Sequence, residues 1–327
     1  MNKSEILLDP SYDRLSIFPI KFQDIWKAYK QHEAAIWHAH EIKLDRDMTD
    51  WVKLNSDEKF YLKHVLAFFA SSDLIVAENL SKRFMSDITI PEVKFFYGFQ
   101  LMIENIHSEV YSNLIDTYVE DKKEKNILFN AAKTMECVKR KAMWAKKWIN
   151  SNENFQTRLI AFAIVEGIFF SGSFCAIYWL SERNMLPGLS KANEFIARDE
   201  GMHTDFACLL YNKYITNKLS EDTFVELMKE AVDLEIYFNV EALPVKLLGI
   251  NSTDMVKYIK ACSNRLSLQL GHNPIYDENE SKNPFTFMDK ISLREKSNFF
   301  EEEVGAYSKF DHNKNTNEEV DAYADLF

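Results

Sequence analysis

The chain has 327 residues, 46% of them hydrophobic and 27% charged, which is ordinary for a globular protein and enough to bury a large core without staples. Fifty acidic against 39 basic side chains give a formal charge of −11, which sets aside nucleic acid as the main partner, because phosphate binding draws on surplus Lys and Arg. Only 8 Gly and 7 Pro leave little material for hairpins, so the expected fold class is all-α.

At the N-terminus Lys3, Glu5, Asp9, Asp13 and Arg14 interrupt any apolar run, which argues against a cleavable signal and for the cytoplasm. The spacing of Ile25, Trp26, Tyr29, Ala34, Ile36 and Trp37 predicts a helix over Gln23–Leu44, and Ser56 caps a second running to Met85. Pro91 suits the first turn of a long third helix reaching Tyr118. Further helices are expected over Lys122–Ile149, Glu153–Glu182, Ser190–Ile215, Ser220–Ala242 and Asn251–Leu270, with Pro187-Gly188 and Gly271 to Pro274 as punctuation. Without a repeat or a linker, residues 1–300 read as one helical domain, residues 1–17 being an extension.

Three features have bland explanations. Ala161 to Leu180 is apolar enough to suggest a membrane span, but Glu166 lies inside it and no second candidate is seen, so a central bundle helix with no membrane is expected. Cys137, Cys175, Cys208 and Cys262 form no C-x-x-C pair and read as reduced thiols. Lys139, Arg140, Lys141, Lys146 and Lys147, interleaved with Trp144 and Trp148, read as a solvated face over buried tryptophans rather than a nucleic-acid track. Beyond Phe300 the chain turns polar, and a mobile tail over 301–327 is expected. Its last apolar residues, Tyr323, Leu326 and Phe327, read as a docking hook or as a frayed end.

The chemistry lies in two copies of Glu-x-x-His, Glu104 to His107 and Glu200 to His203, each within a predicted helix. Residues three apart share a helical face, so each motif offers a carboxylate and an imidazole to one point. Asp73 and Glu166 are lone acids in two other apolar helices, and buried carboxylates are costly without a cation. Di-metal carboxylate bundles need this set: two such motifs plus one further acid from each of two other helices. Oxygen-rich donors with one nitrogen per metal favour iron or manganese over zinc. Tyr111 lies roughly 20° round its helix from Glu104 and about 40° from His107, so it should face the metals. Phe170 and Phe174, on the face of Glu166, would wall the pocket and shield a phenoxyl radical.

Around these residues, the segments HVLAFFASSDLIVAENL, FYGFQLMIENIHSEVYSNLIDTY and RDEGMHTDFACLLY resemble the small subunits of class I ribonucleotide reductases, in their eukaryotic and large-DNA-virus branch. The likeness runs from roughly residue 18 to 308. It implies a ferritin-like helical bundle with additional helices, and metal ligands at Asp73, Glu104, His107, Glu166, Glu200 and His203. It further implies two iron ions per chain, with manganese possible, dioxygen for activation, and a radical on Tyr111. By the same resemblance Trp37, Asp199 and Tyr307 form the electron path, although from the residues alone Trp37 reads as core and Asp199 as a surface acid. The implied partner is a large subunit that reduces ribonucleoside diphosphates and is gripped by the C-terminal tail, and the implied assembly is a homodimer. One departure stands out: Asp321 occupies the place where such tails carry their first phenylalanine, which leaves Tyr323 and Phe327 as candidate anchors. A ferritin-like iron store or a di-iron oxidase would share the bundle but has no use for Tyr111 or the tail.

Overall fold

The computed structural model describes residues 5–149 and 151–288, and every regular element among them is helical. One unit extends to Phe285; of the second, which begins at Thr286, only residues 286–288 are described. The expected boundary at residue 300 and the tail residues Tyr307, Asp321, Tyr323 and Phe327 lie outside the described residues.

Nine longer helices build the first unit: α1 Gln23–Ala34, α2 Ser56–Asn79, α3 Pro91–Tyr118, α4 Glu136–Ile149, α5 Phe155–Ile168, α6 Ser171–Ser181, α7 Pro187–Tyr214, α8 Glu221–Ile236 and α9 Ser252–Gln269. Local chemistry sets their starts. Asn55 accepts the amides of Asp57 and Glu58 while Glu58 returns to the Asn55 amide, a reciprocal cap for α2. Asn154, Ser220 and Asn251 cap α5, α8 and α9 in the same one-way sense. Helices α2 and α3 pack together along their length, as do α5 and α7, and α1 lies across α3 and α7. These pairs bury Phe68, Phe69, Ile103, Leu114, Ile160 and Ile164 almost completely, each worth roughly 1.5–3 kcal/mol of removed apolar surface.

Asp47 ties two of these helices end to end. Its carboxylate accepts the Tyr118 hydroxyl at the end of α3 (2.5 Å) and the Gly188 and Leu189 amides opening α7 (2.7 and 2.9 Å). Pro187-Gly188, expected as a break before a helix at Ser190, is therefore the first turn of α7, because proline suits that position and an acid satisfies the free amides. A side chain at Gly188 would meet the Lys43 carbonyl at 2.5 Å, so glycine is needed there.

The helices expected from Ser56 and Ser220 run past Asn79 and Ile236 as π-helical turns, whereas three others are cut short or interrupted. The first of these stops at Ala34, where Arg198 Nη2 donates to the Ala35 carbonyl (2.6 Å), and Trp37 lies outside regular structure. The stretch Lys122–Ile149 is interrupted at Asn130 and Met135, where the Ile127 carbonyl accepts both the Asn130 amide (3.1 Å) and Thr134 Oγ1 (2.9 Å). Glu153–Glu182 breaks at Phe169-Phe170 into α5 and α6.

A buried lysine sits at that last break. Lys141, expected on a solvated face, is 2% exposed; its ammonium pairs with Glu235 and donates to the Phe169 carbonyl at 2.8 Å. Glu235 accepts the Gly172 amide at 3.0 Å, so the pair takes up backbone groups that the interruption frees. The rings of Phe68 and Phe238 flank the ammonium at 4.0 and 3.9 Å. Burial pushes the Lys141 amine below its ordinary value and Glu235 above its own, each offset in part by the other.

Among the described residues two stretches, not one, are long and apolar enough to cross a membrane, Ser56–Asp87 and Phe155–Ser181. The second is 89% buried within the bundle, as a central helix should be. All four cysteines are free thiols.

Candidate metal centre

Four helices converge on one buried cluster: Asp73 from α2, Glu104 and His107 from α3, Glu166 from α5, and Glu200 and His203 from α7, none more than 3% exposed. Two groups emerge in which one donor atom per residue lies within 4.8 Å of the others: Asp73, Glu104 and His107, and Glu104, Glu166, Glu200 and His203. The shared acids occupy the middle. Glu104 Oε2 lies 3.3 Å from His107 Nδ1 and its Oε1 3.2 Å from His203 Nδ1. Glu200 repeats this, with Oε1 3.3 Å from His107 Nδ1 and Oε2 3.0 Å from His203 Nδ1. Asp73 and Glu166 then flank the pair at opposite ends, a division of labour that spacing alone does not assign.

The charges point to missing cations. Among the described residues no lysine or arginine pairs with these four carboxylates. Asp73 Oδ2, both Glu104 oxygens, His107 Nδ1 and Glu166 Oε2 are buried without a hydrogen-bond partner. Native interiors rarely tolerate so many orphaned atoms, whereas hard divalent ions would take up all of them. Left to protein groups alone, burial and then the neighbouring Glu104 carboxylate push Asp73 well above the carboxylate range; burial and Glu200 do the same to Glu166. Burial would depress both ligand histidines, but the surrounding acids outweigh it and hold them well above the usual imidazole value. The donor set therefore fits a di-metal centre.

Beyond the donors, Asp199 is fully buried rather than on a surface. Its Oδ2 accepts both the Trp37 indole N–H at 2.7 Å and, at 3.0 Å, His107 Nε2, and the two rings stack at 6.0 Å. Gln100 Nε2 donates to Glu166 Oε1 at 3.0 Å. Tyr111 is 2% exposed, and burial followed by the Asp73 charge pushes its hydroxyl well above 10, so it stays protonated. Phe170 and Phe174 reach it through an intermediary: Phe69 stacks on Tyr111 at 4.7 Å and meets Phe170 and Phe174 at 5.8 and 5.2 Å. Phe69 has a sequence signal in hindsight, since it precedes Asp73 by four residues and so shares its helical face. His32, buried against His203, and the Lys141–Glu235 pair carry no local signal, because each meets its partner only through tertiary packing.

The chain resembles known proteins over most of its length. Residues 14–284 match the family described as ribonucleotide reductase, small chain. The chain is 57% identical to the ribonucleoside-diphosphate reductase small chain of Trypanosoma brucei brucei, over 93% of this chain and 90% of that one. It is 51% identical to the small subunit of Dictyostelium discoideum, over 94% and 92% of the two chains. Among solved structures, the ribonucleotide reductase Rnr4 homodimer of Saccharomyces cerevisiae superposes with a TM-score of 0.80 at 38% identity, covering 93% of each chain.

Proposed function

The chain belongs to the ribonucleotide reductase small-chain family, and we propose that within this enzyme it generates and stores a radical on Tyr111 beside a pair of metal ions. Its place as the small subunit of ribonucleoside-diphosphate reductase makes a large subunit its partner. The observation that carries the radical reading is a six-residue donor cluster with orphaned buried atoms, next to a dry tyrosine.

In this reading Asp73 and His107 would hold one ion and Glu166 and His203 the other, with Glu104 and Glu200, which lie close to both imidazoles, available to each. Bound there, the metals supply the redox chemistry that uses dioxygen to oxidise a nearby side chain. We assign iron to the site, with manganese an alternative that the same hard donors accept. The residues of the chain do the rest. Tyr111 gives up one electron and its hydroxyl proton, and the Phe69, Phe170 and Phe174 rings keep water and reductants from the resulting phenoxyl. Asp199 fixes the outer nitrogen of His107 and, through the same oxygen, the indole of Trp37, giving a continuous hydrogen-bonded line away from the metals. We propose that the radical leaves along this line and through Tyr307, and that Tyr323 and Phe327 anchor the tail to the large subunit.

A homodimer is the proposed assembly, supported by the homodimeric description of the yeast protein it resembles. A cytoplasmic setting is proposed from four free thiols. The test is low-temperature electron paramagnetic resonance after ferrous iron and air are added to metal-free protein, beside Tyr111→Phe. A tyrosyl signal in the parent alone supports the reading; iron uptake without a radical in either protein would overturn it.

A further inference from the structure

The two ligand histidines have unlike outer partners. His107 Nε2 meets the Asp199 carboxylate at 3.0 Å, but His203 Nε2 meets another imidazole, His32 Nε2, at 3.3 Å. His32 sits in the last turn of α1 and is fully buried. Phe96 and Phe99 enclose it, with ring centroids 5.1 and 4.8 Å away, and the His203 ring lies across it at 4.8 Å and 68°. Its Nδ1 has no hydrogen-bond partner among the described residues.

Two ring nitrogens at that distance need one N–H and one lone pair between them. His203 Nδ1 faces Glu104, Glu200 and Glu166, so Nδ1 is the atom that must offer its lone pair to a cation. The His203 proton then lies on Nε2, and His32 Nε2 accepts it. That leaves the other His32 nitrogen, Nδ1, carrying a proton into a phenylalanine cage. An unpartnered buried donor is destabilising, and an apolar ring would fill this cage without that penalty. Among the described residues the contact with His203 is the one hydrogen bond of this side chain.

We propose that His32 is a positioning residue for His203: it fixes the tautomer and tilt of that ring, and so tunes one of the two metal positions without touching a metal. The inference rests on the di-metal reading above. A neutral imidazole performs for His203 what a carboxylate performs for His107, so one outer partner adds charge to the centre and the other adds none.

The experiment is a titration of metal-free, full-length protein with Mn(II), following free and bound ion by electron paramagnetic resonance and occupancy after desalting. His32→Phe keeps an aromatic ring but cannot accept the His203 proton. It should fall from two retained ions towards one, with one binding step weakened about 10–100-fold, while the metal-free protein melts no lower than the parent. His32→Gln, whose side-chain oxygen can accept the same proton, should regain part of the loss. A parent that binds two ions beside a His32→Phe variant that binds them identically would overturn the role of His32. Equal weakening of both steps with a lower melting temperature would also overturn it, by showing a merely structural residue. A parent that retains fewer than two ions would instead remove the di-metal premise, which the variants do not enter.

Discussion

The core holds two buried charged clusters that solve the same problem differently. Around the Phe169-Phe170 break, Glu235 is neutralised by Lys141, and backbone groups complete the arrangement. At the convergence of α2, α3, α5 and α7, four carboxylates face two imidazoles and, among the described residues, pair with no lysine or arginine. The first cluster is complete as a polypeptide; the second is complete only with ions from outside. Burial alone therefore does not mark a functional site, whereas a buried deficit of positive charge does.

Mutations should separate the two. The largest effect is expected from Glu104→Ala, which removes an acid shared by both ions: retained metal should drop from two per chain to nearly none on desalting. The stability of the metal-free protein should change far less, because the protons that its cluster takes up at Asp73, Glu166, His107 and His203 can readjust to the lost carboxylate. A clear fall in metal-free stability would mean that this cluster, too, is self-sufficient. Next comes Lys141→Met, which strands Glu235; a loss of about 3–5 kcal/mol is expected in chemical unfolding, with or without metal. Adding Glu235→Leu should recover most of it, and no recovery would break the comparison from the other side.

A smaller and more selective effect is expected from Trp37→Phe, which keeps the ring and removes the N–H given to Asp199. Metal content and the tyrosyl signal should persist, while turnover with the large subunit falls at least about tenfold, or ~1.4 kcal/mol. Undiminished turnover would take Trp37 out of the path. The smallest concerns a third acid, Glu92, whose side chain is fully buried at the start of α3. Burial raises its pKa, but Arg14 and the Lys21 amide outweigh this and hold it below its ordinary 4.5. A depressed folded pKa contributes stability above 4.5 that is lost as pH falls through the folded value. Glu92→Gln should thus lose on the order of 1–2 kcal/mol near neutrality and show a flatter acid limb in melting temperature against pH.

Legibility in the sequence follows the range of the interactions. The donor residues stand out because Glu-x-x-His spacing and lone acids in apolar helices are local patterns that burial makes meaningful. The end of α1 was not legible: the apolar period runs on through Trp37, and only Arg198, distant in sequence, reaches the Ala35 carbonyl and stops the helix. Lys141 was misread for a related reason, since its neighbours Lys139 and Arg140 are solvated and its own partner lies on α8. His32 looks like one more polar residue near a helix end until α7 brings His203 against it.

The Asp47 bracket acts as a ruler for the bundle. By joining the last turn of α3 to the first turn of α7, it sets how far each Glu-x-x-His helix can slide along its neighbour. Each residue advances a helix by about 1.5 Å, and Glu104 and Glu200 meet the imidazoles over gaps of only 3.0–3.3 Å. A slip of a single residue would therefore dissolve the shared carboxylates, although Tyr118, the residue of α3 that Asp47 holds, stands eleven residues, or roughly 16 Å of helix, from His107. Alignment of the metal site is in this sense gauged at a distance, by an acid that no search for ligands would select.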